Sequence, residues 1–248
     1  MKIAIISDIH EDLVNLQKAL TIIEKNKCDE IYFLGDLVGF AGLFYDYGDT
    51  KNANECIRLI RTNCTLAIAG NHDLYIAKRF PEFFKKNNYP TNWYELSYQE
   101  RRDISKNKIW LYEEEDDPIL TQENMEFMKK IPQYKVMEID NKKYLFSHYY
   151  EPDISGVSKF FPTKKADFSQ HFDFMSKNNC QVSFTAHGHV QGYKIILPKK
   201  ISIKNFGKKK LKNTSQIINC PAIATNEYKD SGFVIFDTIN FEITVLQL

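Results

Sequence analysis

With 248 residues, 43% hydrophobic and 26% charged, the chain can form one large domain, or a domain carrying an insertion, around a sizeable core. A net charge of +1 gives no general electrostatic case for nucleic acid or an anionic membrane as partner. No stretch approaches the ~18 apolar residues of a membrane span, and the apolar run after Met1 turns polar at Ser7-Asp8, short of the ~7–15 residues of a signal-peptide core.

The first third alternates strand and helix. Residues 2–7 form a short continuous apolar run, as in a strand buried on both faces. Residues 12–26 carry Leu13, Leu16, Leu20 and Ile23 at helical spacing, with Asp12 as N-cap. A second strand is expected at 31–35, a helix at 52–63 and a third strand at 65–69, an order that implies parallel pairing through helical crossovers. From 74 to about 131 aromatic and charged residues dominate, with helical spacing over 93–110 and 122–130; this stretch reads as a helical cap inserted into the domain. Strands follow at 134–139 and 142–147 around Asn141, then a helix at 165–178. The rest is a run of strands at 181–186, 193–197, 200–205, 215–219, 232–237 and 241–248. The runs Lys208-Lys209-Lys210 and Glu113-Glu114-Glu115-Asp116-Asp117 read as solvated surface. Five scattered cysteines, none in a C-x-x-C pair, suit reduced thiols and a cytoplasmic protein.

Five apolar runs end alike. Ile3-Ala4-Ile5-Ile6-Ser7 ends at Asp8, Ile31-Tyr32-Phe33-Leu34-Gly35 at Asp36, Leu66-Ala67-Ile68-Ala69-Gly70 at Asn71, Tyr144-Leu145-Phe146-Ser147 at His148, and Val182-Ser183-Phe184-Thr185-Ala186 at His187. Each strand thus delivers a metal-capable side chain at its C-terminal end, the edge where α/β sheets bind ligands. Five of the six histidines (His10, His72, His148, His187 and His189) lie at or within two residues of these ends; His171, on the expected helix, reads as a hydrogen-bonded structural residue. Asp8-x-His10 and His187-x-His189 can each grip one ion or reach two neighbouring ones. Imidazole with carboxylate and no thiolate suits Mn²⁺, Fe or Zn²⁺ better than Ca²⁺ or a structural zinc.

In order and approximate spacing, Asp8-Ile9-His10, Gly35-Asp36, Gly70-Asn71-His72-Asp73, His148 and His187-Gly188-His189 resemble the calcineurin-like metallophosphoesterases. Gly35-Asp36-Leu37-Val38-Gly39, and Glu123-Asn124 followed by Ile131-Pro132, resemble the small prokaryotic branch that includes the YfcE-type phosphodiesterases. The resemblance implies a four-layer α/β/β/α sandwich with the site at the sheet edges. It assigns Asp8, His10 and His189 to one divalent metal, and Asn71, His148 and His187 to a second, with Asp36 bridging. Manganese is the expected metal, with iron, zinc or nickel as alternatives. His72 is left to protonate the leaving group and Asp73 to orient it.

The implied reaction is hydrolysis of a phosphomonoester or phosphodiester by a metal-bound hydroxide attacking in line, on a small phosphorylated, nucleotide-like substrate. Three positions depart from the pattern: Glu11 and Ala186 stand where glycine is usual, and Asn219-Cys220-Pro221-Ala222 where the branch often has Asn-Pro-Gly-Ser. A non-catalytic protein-binding scaffold on the same fold is the competing reading. It predicts a missing ligand or a missing His72, and none is missing. A nuclease is disfavoured by charge and length. In the insertion, Arg79, Lys85, Lys86, Arg101 and Arg102 lie among Tyr89, Trp93, Tyr94, Tyr98 and Trp110. This favours an amphipathic cap with a charged outer face over a lid that grips phosphate and stacks a base.

Overall fold

A computed structural model of the chain describes residues 1–113, 115–225 and 230–248. The N-terminal third runs β1 (Lys2–Ile6), α1 (Leu13–Lys25), β2 (Glu30–Phe33), α2 (Ala53–Asn63), β3 (Leu66–Ala67) and α3 (Asn71–Ile76). The stretch read as an insertion holds α4 (Glu82–Lys86), α5 (Tyr98–Ser105) and α6 (Gln122–Lys130). The remainder runs β4 (Tyr134–Ile139), β5 (Lys142–Ser147), α7 (Ser169–Lys177), β6 (Cys180–Thr185), β7 (Tyr193–Leu197), β8 (Lys200–Lys204), β9 (Gly207–Lys210), β10 (Gln216–Asn219), β11 (Gly232–Asp237) and β12 (Glu242–Gln247).

These strands form two six-stranded mixed sheets, ordered β3-β2-β1-β11-β12-β9 and β4-β5-β6-β10-β7-β8. The two-residue period of a strand sorts their side chains. Ile3 and Ile5 face the inter-sheet core with Tyr144, Phe146, Val182, Phe184 and Phe236. Ala4 and Ile6 face the other way, onto Leu16, Ala19 and Ile57 of α1 and α2. Likewise Leu145 turns from the inter-sheet core to Phe168 and Met175 beside α7. Helices therefore cover both outer faces, giving the expected four-layer α/β/β/α arrangement.

Local signals explain the boundaries. The Asp12 side chain accepts from the Asn15 N–H and starts α1. The helix expected over 93–110 is broken: a 3₁₀ turn at Trp93–Glu95 precedes a Ser97/Glu100 capping box that opens α5, and left-handed Lys106 and Asn107 close it. The lysine run 208–210 is exposed as expected, yet it forms an edge strand against β12, where lysine discourages further pairing. Met128 of α6 packs among Phe33, Ile57 and Ile60 in the main core. Phe84, Trp93, Ile109 and Leu111 of the same stretch form a further small core with Val157 from the segment after β5.

Candidate metal centre

β1, β2, β3, β5 and β6 all end at one edge of the sandwich, so their following residues converge. Asp8, Asp36, Asn71 and His148 are almost completely buried. Asp8, His10, Asp36, His187 and His189 have positive φ, between 41° and 66°. Left-handed backbone is uncommon for residues with side chains and is held here by the surrounding structure. Asp36 O accepts from the Ile9 and His10 N–H groups, locking the two loops together. Glu11 also has φ 69°, which accounts for glycine being usual there. Its carboxylate accepts from Phe40 N and lies 3.9 Å from Lys51 Nζ. Asn219 of the third departure is buried and donates from Nδ2 to the carbonyl of Ala186, the second departure, at the strand end that precedes His187.

The side chains fall into three overlapping groups whose ligand atoms all lie within 4.8 Å of one another: Asp8, His10 and His189; His10, Asp36 and His72; and Asp36, His148 and His187. Asp36 Oδ2 is 2.9 Å from His148 Nε2, 3.8 Å from His72 Nε2 and 3.9 Å from His10 Nε2. His189 Nε2 is 3.4 Å from Asp8 Oδ1.

The donor chemistry fits cations. A carbonyl only accepts, so His10 Nδ1 must donate to Gly39 O (3.1 Å) and His148 Nδ1 to Leu34 O (2.7 Å). Both Nε2 lone pairs are thereby turned into the site, the arrangement that orients metal-binding imidazoles. Ring nitrogens face each other at 3.1 Å (His10 and His189) and 3.2 Å (His148 and His187). Asn71 Oδ1 and His187 Nε2 are buried with no hydrogen-bond partner among the described residues, a cost that a coordinated ion removes. Burial resists ionisation of Asp8, but the His189 and His148 imidazoles outweigh it and hold its pKa at about 2. Burial also works against a proton on His148, but Asp36 prevails and lifts it to about 9. The same anionic field favours a metal ion.

His72 and Asp73 occupy different places. His72 is partly exposed and stands edge-on to the His10 ring, 4.9 Å away. The expected role of Asp73 is corrected by its contacts: its carboxylate accepts from the backbone N–H groups of Asp36 (2.9 Å), Leu37 (2.8 Å) and Gly70 (2.9 Å). Asp73 thus ties two ligand loops together. The group facing His72 Nδ1 is Glu115 Oε1, at 2.8 Å. The Glu115 side chain is only 8% exposed, so it does not belong to the solvated surface expected for the run 113–117; Glu114 lies outside the described residues. Sequence reasoning also missed Tyr45, stacked on His10 at 5.2 Å, and Tyr112, 5.0 Å from His72. His171 sits apart: it is fully buried, accepts from Glu151 N and donates to Ser183 Oγ.

A cavity of about 520 Å³ opens over the cluster. Of the ten charged and aromatic residues singled out between positions 79 and 110, Tyr98, Arg102 and Trp110 line it. Others serve structure: Arg79 donates to Met128 O and Ile131 O, Lys85 pairs with Glu82, and Lys86 pairs with Glu151.

Comparison with known proteins places this geometry. A family model described as calcineurin-like phosphoesterase matches residues 1–191. An uncharacterized protein of Methanocaldococcus jannaschii, MJ0912, is 26% identical, covering 99% of this chain and 86% of its own. A metallophosphoesterase from Sphaerobacter thermophilus superposes with TM-score 0.69 at 19% identity, covering 100% of this chain and 88% of that one. A hypothetical protein from Pyrococcus horikoshii, PH1004, superposes with TM-score 0.59 at 14% identity, covering 100% and 87%.

Proposed function

The chain belongs to the calcineurin-like phosphoesterase family, and from that premise we propose that it hydrolyses a phosphomonoester or phosphodiester with two divalent metal ions. The observation that carries the reading is the overlap of the three ligand groups: His10 and Asp36 are each shared, so neighbouring ions would have common walls. Asp8, His10 and His189 would hold one ion; Asn71, His148 and His187 the other; Asp36, with two oxygens and a negative charge, would bridge. Mixed imidazole and carboxylate donors favour manganese, iron, zinc or nickel over magnesium. Such ions lower the pKa of a water and polarise a phosphoryl oxygen.

The chain's own groups do the rest. Burial works against a proton on His72, but Glu115 and Asp36 outweigh it and hold its pKa at about 9. An imidazolium so held can give its Nε2 proton to a departing oxygen. Tyr45 and Phe44 line the cavity wall and would exclude water from the reacting atoms. The substrate is read as a small phosphorylated molecule, because the cavity volume is in the range of small-ligand pockets. All five cysteines are unpaired, which supports the cytoplasm as its place of action. Among the described residues no helix is long and apolar enough to cross a membrane. The scaffold reading has less support, since no ligand is lost and the cavity reaches the ligand cluster.

The test is metal analysis paired with hydrolysis of p-nitrophenyl phosphate and bis-p-nitrophenyl phosphate after manganese reconstitution. About two ions per chain and chelator-sensitive turnover are expected. Folded protein that takes up no metal from a manganese soak sinks the proposal.

A further inference from the structure

The cavity over the ligand cluster does not end there. A second cavity of about 820 Å³ adjoins it, and Asn107 and Lys159 line both. The Lys159 ammonium donates to Asn107 Oδ1 at 2.6 Å, forming the wall between them. It also stands 5.2 Å over the Trp110 ring, and the buried Trp110 indole N–H has no acceptor among the described residues.

The charges around this junction are unbalanced. Every carboxylate lining the larger cavity is engaged. Glu151 receives both its contacts from Lys86 Nζ, at 2.8 and 2.7 Å. Asp153 accepts three backbone N–H groups, from Gly156, Val157 and Ser158. Asp167 accepts from Thr163 N and Lys164 N. The lysines are not so engaged: Lys106, Lys108 and Lys159 form no ion pair among the described residues, while Arg102, at the mouth of the smaller cavity, donates to the Tyr98 hydroxyl. There, apart from Asp36 and the His72 partner Glu115, the lining carboxylate is Glu113, which meets the Tyr98 hydroxyl. Lysines without an ion-pair partner and an indole N–H without an acceptor among the described residues, beside a centre built for a phosphate, describe a place for a second anion.

We propose that the ester taken by this site carries a second anionic group, a phosphate or a carboxylate, on its leaving half. Lys159, with Arg102 and the Trp110 indole N–H, holds that group at the junction of the two cavities. This rests on the phosphoester reading above, in which the first phosphate lies over the ligand cluster.

Non-hydrolysable α,ω-bisphosphonates of graded chain length test it by calorimetry on the manganese-loaded protein, against alkylphosphonates of equal length. At least one bisphosphonate should bind roughly ten- to a hundredfold more tightly than its monophosphonate, as one charge-assisted contact allows. Phosphonocarboxylates in parallel show which anion gains more. Lys159→Gln should erase the gain while leaving monophosphonate affinity within about twofold, and Lys199→Gln, an exposed lysine on another turn, should change neither. Monophosphonate binding with no gain at any chain length, or a gain that survives Lys159→Gln, overturns the second subsite alone. No binding of either compound to protein that holds its metals overturns the phosphoester reading with it.

Discussion

Glu115 Oε1 lies 2.8 Å from His72 Nδ1, with one residue carried by the segment between α5 and α6 and the other by the first turn of α3. The contact gives His72 a carboxylate partner that no local motif supplies. Glu115→Gln should keep its metals and its fold. It should lose roughly ten- to a hundredfold on an alkyl phosphate, since a charge-assisted contact is worth about 1.5–3 kcal/mol. On a p-nitrophenyl ester, whose leaving group needs little help, the loss should be clearly smaller. Glu115→Asp should recover part of it. Equal losses on both substrates mean that Glu115 does not act through the proton on His72.

His72→Ala should lose about 10²–10⁴-fold on the alkyl ester, again with metals retained and a smaller loss on the p-nitrophenyl ester. Combined with Glu115→Gln it should lose little more, because the two residues form one unit. Additive losses in that double variant would separate them.

Asp36→Asn should remove metal and nearly all activity. Burial resists the Asp36 charge, yet His148, His72 and His10 hold its pKa well below the ordinary carboxylate range, so the anion is fixed in place. An amide keeps the shape and loses the charge that several imidazoles face. Metal content measured after gel filtration decides it: retention of the wild-type metal content shows that Asp36 does not bridge.

Gly39 has φ 94°, and a Cβ there would fall on the His72 ring. Gly39→Ala should therefore displace His72 and lower kcat on an alkyl ester by more than about tenfold, with metal content unchanged. Gly48→Ala, where an added Cβ meets only the Phe40 ring at 3.5 Å, serves as control. Parallel behaviour of the two variants removes the steric argument.

Burial lowers the His171 pKa from 6.5 to about 3. A depressed pKa means that the unfolded chain binds the proton first. The stabilising contribution of neutral His171 is complete above pH 6.5 and lost as pH falls from there toward 3. In NMR spectra its ring signals should not titrate between pH 8 and pH 5. A midpoint near 6.5 contradicts the burial argument. His171→Ala should cost about 1–3 kcal/mol of stability through the unpaired Glu151 N–H and Ser183 hydroxyl, with activity at neutral pH retained.

The two halves of the site differ in how far they could be read from sequence. Asp8, Asp36, Asn71, His148 and His187 each follow an apolar run directly, and strand geometry sends every run to the same edge; local pattern and topology coincide. Glu115 had no such signal. In composition it is one carboxylate among neighbours, and only the path of the chain, tied by Asp116 N donating to Phe40 O at 3.2 Å, turns it inward. The reading of Asp73 failed for a related reason. Adjacency to His72 suggested a partner, but a carboxylate at the third position of α3 is drawn to the Gly70 N–H and the Asp36 loop. β9 was missed because its four residues are all exposed and so carry no alternation.

Asp8 owes its surroundings to both ends of the polypeptide. Its carbonyl accepts from Ala224 N, that of Ser7 from Ile223 N, and β1 pairs directly with β11. During synthesis the first ligand loop therefore emerges long before the segments that brace it. The nascent chain cannot complete the centre until residues 216–237 have left the ribosome. Metal capture would then be a late event of biogenesis, and chains truncated before β11 should emerge without metal.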